Sequence, residues 1–341
     1  MLAVLVWTHQ AETISTIEDS MSSTTGITNI NNMAPELPLQ FSEDLLSTPM
    51  FNLIHSFGAD LHYAEAHIGK TTRMSRYERL STDGGQLDGS GIDPAPEVVV
   101  RSDIDATMEI YAKTVVVNEQ VTLYENDKVL TKFTALLGQW LREKEDLLMR
   151  DLYASSVSYI NATAGLNGQQ PSEITRQDIN NIERILLGND ARTMLEVIEA
   201  ELKFATAPTR DAFIALASTD ITPDLQNVQG VILKNAYPSQ EGLRPEEYCS
   251  VSRFRFFVSS KASKIPGASS PGGQTVYTIP MYGLEAAAKV EQNNYTAILG
   301  YRPPYVVSSV AQNSQLYAKF AIARAITNQN WVSGLNVTAR L

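Results

Sequence analysis

Ile104, Ala106, Met108, Ile110 and Ala112 alternate with Asp103, Asp105, Thr107, Glu109 and Tyr111, the period of two that marks a β-strand buried on one face. Counted from Glu97, the strand-compatible run is about 16 residues, or about 50 Å at about 3.3 Å per residue, well beyond the usual strand. It follows STDGGQLDGSGIDPAP (81–96), a stretch that can form neither a helix nor a central strand. Before that tip lies KTTRMSRYERL (70–80), basic and strand-compatible. The pattern predicts a long hairpin that projects from the body. A two-stranded ribbon is marginal alone in water, so its apolar face is expected to bury on a neighbouring copy of the chain.

Charge is segregated along the 341 residues. Residues 1–69 hold eight Asp or Glu and no Lys or Arg, residues 70–79 four basic groups and one acidic, residues 80–229 twelve and twenty-four, and residues 230–341 eleven and five. Acidic and basic stretches of this size can complement copies of the same chain in head-to-tail contacts. The net charge of -11 argues against a nucleic-acid binder, which needs clustered positive charge. Hydrophobic residues at 43% and charged residues at 19% describe a folded chain. One cysteine, Cys249, excludes an intrachain disulfide framework and a cysteine-cage zinc site. Leu2–Trp7 is too short an apolar run to span a bilayer and has no basic residues before it, so no membrane association and no export are expected.

The first forty residues, rich in Ser, Thr and Asn, have no sustained period and read as an arm that orders only when a neighbouring subunit holds it. From about Asn126 to Tyr159, apolar residues from Val129 to Leu152 recur at three and four, which predicts one helix about 45 to 50 Å long. Arg142, Asp146 and Arg150 are spaced in it for surface ion pairs. A second helix is expected to be capped by Thr175 with Asp178 and to stop at Gly188. Phe213–Ala217 reads as a buried strand with a turn or helix start at Pro223, and 253–258, 275–279 and 296–299 read as further strands. Ala311–Asn328 fits helix or strand equally.

No pattern carries chemistry. His62 and His67 flank Glu65 at a separation of five, which puts them on different helix faces, unlike the four-residue spacing of the helical zinc motif. Asp83, Asp88 and Asp93 lack the alternating oxygen ligands and closing Glu of an EF-hand. The tip glycines are followed by neither Lys-Ser/Thr nor a helix. No GxSxG elbow occurs, and four histidines give a catalytic triad little to build on. No catalytic residue, cofactor or metal is expected.

The order of elements resembles a tailed-bacteriophage major capsid protein of the Hong Kong 97-type fold. RYERL (76–80), IYAKTVVVNEQ (110–120), LREKEDLLMRDLY (141–153) and EGLRPEEYCSVSRFRFFVSS (241–260) resemble the Enquatrovirus-type podovirus major capsid family, over about residues 45–341. The resemblance implies an α+β chain divided into an N-terminal arm (1–68), an extended loop (69–113), a peripheral domain with a spine helix (114–174), an axial domain (175–285) and a return to the peripheral domain (286–341). That return favours a strand for Ala311–Asn328. It further implies a non-enzymatic virion protein, assembled in the bacterial cytoplasm into hexamers and pentamers of an icosahedral head around double-stranded DNA. Portal, scaffold and decoration proteins would be partners, and the genome would be met by proximity alone. Lys70, Arg73, Arg76, Tyr77, Arg79, Ile104, Ala106, Met108 and Ile110 are the expected inter-subunit contacts, with Arg73, Arg76 and Arg79 meeting carboxylates of the next copy. Two other readings are an encapsulin-type compartment, which would enclose a folded enzyme, and a soluble hydrolase or carbohydrate-binding protein.

Overall fold

The computed structural model describes residues 51–65, 69–82, 96–118, 129–163, 170–194, 212–237, 244–267, 273–292, 297–308 and 311–340. The arm expected over the first forty residues, the tip with Asp83, Asp88 and Asp93, and His67 lie outside them.

In chain order the strands are β1 (Asp60–Ala64), β2 (Thr71–Tyr77), β3 (Arg101–Thr107) and β4 (Glu109–Asn118). Helix α1 (Val129–Ser156), β5 (Tyr159–Asn161), helix α2 (Arg176–Gly188), β6 (Phe213–Ser218) and the short helix α3 (Thr222–Asn227) follow. Next come β7 (Ile232–Leu233), β8 (Glu247–Val251), β9 (Phe254–Ser259), β10 (Lys264–Ile265), β11 (Val276–Tyr282) and β12 (Ala287–Gln292). β13 (Ile298–Ser308), β14 (Ala311–Ile326) and β15 (Val332–Thr338) complete the chain. Among the described residues β1, β12, β14, β13 and β4 form one sheet of five strands, a second sheet of eight runs β5-β15-β11-β6-β9-β8-β7 with β10 on β11, and β2-β3 is a separate ribbon.

α1 lies where it can serve both larger sheets. Leu137, Leu141 and Leu148 pack against Leu316, Ala318, Phe320 and Ile322 of β14. Met149 and Tyr153, a stripe further round the helix, and Val157 just past its end pack against Ile54, Met194, Ile214 and Tyr282. A helix with two apolar stripes at three-and-four spacing must bury both. α1 stops at Ser156, short of the expected Tyr159, because Tyr159 pairs as β5 with Gly334 of β15. An added Cβ at Gly334 would come within 2.3 Å of the Tyr159 ring, so only glycine fits there. α2 carries the predicted capping box, with Thr175 and Asp178 each satisfying the other's backbone N–H, and it buries Ile179, Ile182 and Leu186. β6, buried along its full length, lies between the two helix layers: Phe213, Ala215 and Ala217 face the α2 side, Ile214 and Leu216 the α1 side. Its parallel pairing with β9 fits a strand apolar on both faces.

Two expectations are corrected. The run from Glu97 is not one strand. It begins at Arg101 and breaks at Met108, whose N–H donates to Lys70 O at 2.8 Å, and past that point the chain leaves β2 and continues as β4, paired with β14. The ribbon is therefore seven residues a side, about 23 Å of paired strand. Asp146 is not on the surface. It is 1% exposed, accepts from the backbone N–H of His55 (2.7 Å) and Ser56 (3.0 Å), and lies 2.6 Å from His55 Nδ1. Arg150 turns instead to Asp151 and to Lys261 O. The carboxylate thus ties the segment that leads into β1 to the middle of α1.

Gly58 closes that segment at φ +74°, with Met194 Cε 2.7 Å from where a Cβ would stand. Asp146→Ala is expected to cost about 3–5 kcal/mol in chemical denaturation, since it strands a buried imidazole and two N–H donors. Asp146→Asn keeps an acceptor for the backbone and is expected to cost clearly less; equal losses for the two variants would show that volume, not hydrogen bonding, is what Asp146 supplies.

Candidate functional site

The ribbon presents two unlike faces. Register pairs Thr72 with Ala106, Met74 with Ile104 and Arg76 with Ser102 on one, and Arg73 with Asp105, Ser75 with Asp103 and Tyr77 with Arg101 on the other. On the first face Ala106 and Met108 are 1% and 6% exposed, packed with Ile104 and Met74 against Val290, Ala321, Ala323 and Ala325 of β12 and β14. Part of the apolar face that was expected to await a neighbour is therefore covered by the chain's own sheet. Ile110, one step along β4, is 68% exposed.

The second face is an ion ladder. Arg73 donates from Nε and Nη2 to the two oxygens of Asp105 at 2.7 and 2.8 Å, the bidentate geometry that suits guanidinium and carboxylate. Arg101 Nε reaches Asp103 at 2.7 Å, and its Nη2 donates to Ser75 Oγ at 2.6 Å. Hydrogen bonding from Arg73 holds the Asp105 carboxyl below the usual carboxylate range, and Ser75 and Arg101 do the same for Asp103. Arg76 pairs with Glu78 at 3.3 Å, and Arg79 reaches Asp190 of the body at 3.4 Å. Arg73, Arg76 and Arg79 each meet a carboxylate of their own chain, where the sequence suggested carboxylates of another. Lys70 and Tyr77 are exposed, the first at the ribbon's root and the second on its outward face.

Two clefts border the ribbon. One, of about 990 Å³, lies between Met74, Arg76 and Ile104 of the ribbon and Asp60, Asp190 and Trp331 of the body. Arg79 and Arg192 also line it, as do Glu78 and Glu285, so its charges nearly cancel. The other, of about 460 Å³, sits at the root between Gly69, Met108, Ile110, Gln292 and Ala321, with Lys70 and Glu109 at its rim. The sequence reading missed Val98, Val99 and Val100, which are 81%, 56% and 57% exposed. Three successive β-branched residues between a proline-rich tip and a polar strand were the available signal.

His62 stands exposed on β1, and no group of three or more His, Cys, Asp or Glu could hold a metal among the described residues. Cys249 is fully buried, and burial pushes its thiol up to about 12, which leaves it without thiolate character at neutral pH. Glu247 and Arg255 form a buried pair at 3.1 Å, and desolvation raises the Glu247 carboxyl despite the arginine beside it. No helix of the described residues is long and apolar enough to cross a membrane.

No family model matches the chain, and no curated protein matches its sequence. Solved structures do match its fold. The capsid structure of cyanophage P-SCSP1u aligns with TM-score 0.60 and 11% identity over 92% of this chain and 96% of that one. The capsid of Ralstonia phage GP4 gives 0.59 and 10% over 92% and 99%, and the mature capsid of bacteriophage PhiM1 gives 0.53 and 14% over 88% and 92%. The chain therefore has a fold found in phage capsids, along nearly the whole length of both partners.

Because its ladder is internal and exposed, Arg73→Ala is expected to leave the melting of the body unchanged while raising the rate of proteolytic nicking near residues 78–101. Unchanged nicking would show that strand pairing alone holds the ribbon.

Proposed function

We propose that this protein is a non-enzymatic major capsid protein of Hong Kong 97 type, akin to the Enquatrovirus-type podovirus family. The observation that carries the reading is the full-length likeness to phage capsids. It is supported by a paired ribbon that leaves the body with apolar groups uncovered at both ends. In this reading copies join into hexamers and pentamers of an icosahedral head around double-stranded DNA. Residues 1–68 act as arm, 69–113 as extended loop, 114–174 and 286–341 as peripheral domain and 175–285 as axial domain. The mechanism is association: the loop of one copy docks on the next through exposed Ile110 and Tyr77, with Lys70 at the contact's edge. Apolar burial supplies affinity, and exposed charges contribute little. A net charge of -11 keeps a wall that faces packaged DNA from gripping it. Portal, scaffold and decoration proteins complete the head, which is assembled in the host cytoplasm.

Negative-stain imaging of the purified chain is expected to show closed shells; a folded protein that stays monomeric at every concentration and salt would overturn the reading. Deleting Thr82–Pro96 should leave the body folded, since Ser81 N already donates to Glu97 Oε1 at 2.8 Å across the base of the tip. The same deletion should abolish shells, and normal particles from it would remove the loop tip from the mechanism.

A further inference from the structure

Two strand edges border one cleft and stand open to it. The cleft of about 990 Å³ is lined by Asp60, Leu61 and His62 of β1 and by the unbroken run Met74–Arg79, which is the end of β2 and the two residues after it. Neighbouring residues of a strand point to opposite faces, so a cleft that touches every residue of a run meets the strand along its edge. β1 ends the five-stranded sheet, and β2 pairs with β3 alone among the described residues. The ends of the ribbon show which backbone groups β2 turns outward. Met108 N donates to Lys70 O at 2.8 Å and Glu78 N to Val100 O at 2.9 Å, with an unbroken register between them. Hydrogen-bonded pairs alternate along an antiparallel ladder, so the even-numbered residues bond to β3. Ser75 and Tyr77 therefore turn their N–H and C=O away from β3, toward the cleft.

Size and charge narrow what can enter. A strand in a sheet occupies about 3.3 by 4.8 by 10 Å per residue, so the cleft takes about six residues of extended chain, matching the run along β2. Of the four carboxylates that line it, Glu78 is paired with Arg76, Asp190 with Arg79 and Glu285 with Arg192. Asp60, the fourth, has no ion pair among the described residues. Desolvation, and then the charge of Glu285, hold its carboxyl above the usual range against the pull of His62.

We propose that this cleft binds an extended segment of another polypeptide as an added strand, with a Lys or Arg of that segment opposite Asp60. Main-chain bonds to the outward groups of β2 supply affinity, and the cation supplies specificity. Residues 1–50 and 83–95 hold no Lys or Arg, so neither the N-terminal stretch nor the loop tip carries the cation that Asp60 lacks. Pairing through the main chain leaves the three ion pairs of the cleft in place. The proposal goes beyond the capsid reading and does not depend on it.

The test uses the full chain and a fluorescein-labelled peptide of about eight residues, alternating Val and Thr with a central Lys, followed by fluorescence anisotropy. Saturable binding is expected, weaker by about tenfold or more when Glu replaces the Lys, and lost when alternate peptide nitrogens are methylated. Asp60→Asn is expected to remove the preference for Lys over Glu. Tyr77→Pro takes away one outward N–H at an edge position where proline is tolerated and is expected to abolish binding, whereas Tyr77→Val keeps it. Far-UV circular dichroism and a melting curve check that each variant is folded. Wild-type chain that binds no peptide, equal binding of the Lys and Glu peptides, a preference that survives Asp60→Asn, or undiminished binding of the methylated peptide would each overturn the proposal. None of these readouts requires particles to form, so the capsid reading is tested separately.

Discussion

β14 buries one face on α1 and, from Ala321 onward, the other under the ribbon, and most of the larger architecture follows from that. Its even-numbered residues Leu316, Ala318, Phe320 and Ile322 meet α1, while Ala321, Ala323 and Ala325 lie under the root of the ribbon. The asymmetry in size is the working part. Large side chains fill the space to a helix, whereas a row of alanines lets Ala106 and Met108 come down onto the sheet. The same strand pairs with β4 on one side and with β12 and β13 on the other, so the ribbon, the helix and the C-terminal strands are all referred to one backbone. A larger residue at Ala323 would lift the ribbon's root, since close-packed layers do not absorb added volume without moving backbone.

α1 carries that reference to the second sheet. It is apolar on two stripes, one from Leu130 to Leu148 on the five-stranded sheet and one from Met149 on the cluster around Tyr282 and Ile214. Asp146 stands one turn before the second stripe, and a buried carboxylate is tolerable only because three donors converge on it. The polar contact fixes where the chain enters the body with a specificity that apolar packing alone lacks. Tyr282 adds a second tie, donating from its hydroxyl to Phe57 O at 2.6 Å while its ring stacks on Tyr153.

Local patterns were legible wherever one element determined them. The capping box at Thr175, the buried β6 and the apolar period of α1 depend on short-range spacing, and they stand where the spacing puts them. The helix-or-strand ambiguity of Ala311–Asn328 has a physical cause: where its second half is buried on both faces the strand loses the alternation that identifies strands, and its alanines suit a helix equally well. Asp146 was illegible for the converse reason. Its spacing to Arg142 and Arg150 is a surface pattern, and only His55, ninety-one residues away, shows that it is inside. The break at Met108 was hidden because β3 and β4 keep one phase of alternation while they change partners. The sites divide in the same way. Which residues alternate could be read from the chain, but which surface each face meets depends on β12 and β14, almost two hundred residues further on.

Charge segregation along the sequence invited a contact between copies, yet in three dimensions the basic stretch 70–79 lies across from Asp103 and Asp105. Register, not net charge, decides what those arginines can do. A two-stranded ribbon in water is marginal, and a ladder of cross-strand pairs, each small, is what such a ribbon can use to hold its shape before any partner arrives. A shape held in advance lowers the ordering cost of association. The same pairing commits those arginines within their own chain, so in the proposed assembly register between copies falls to steric fit.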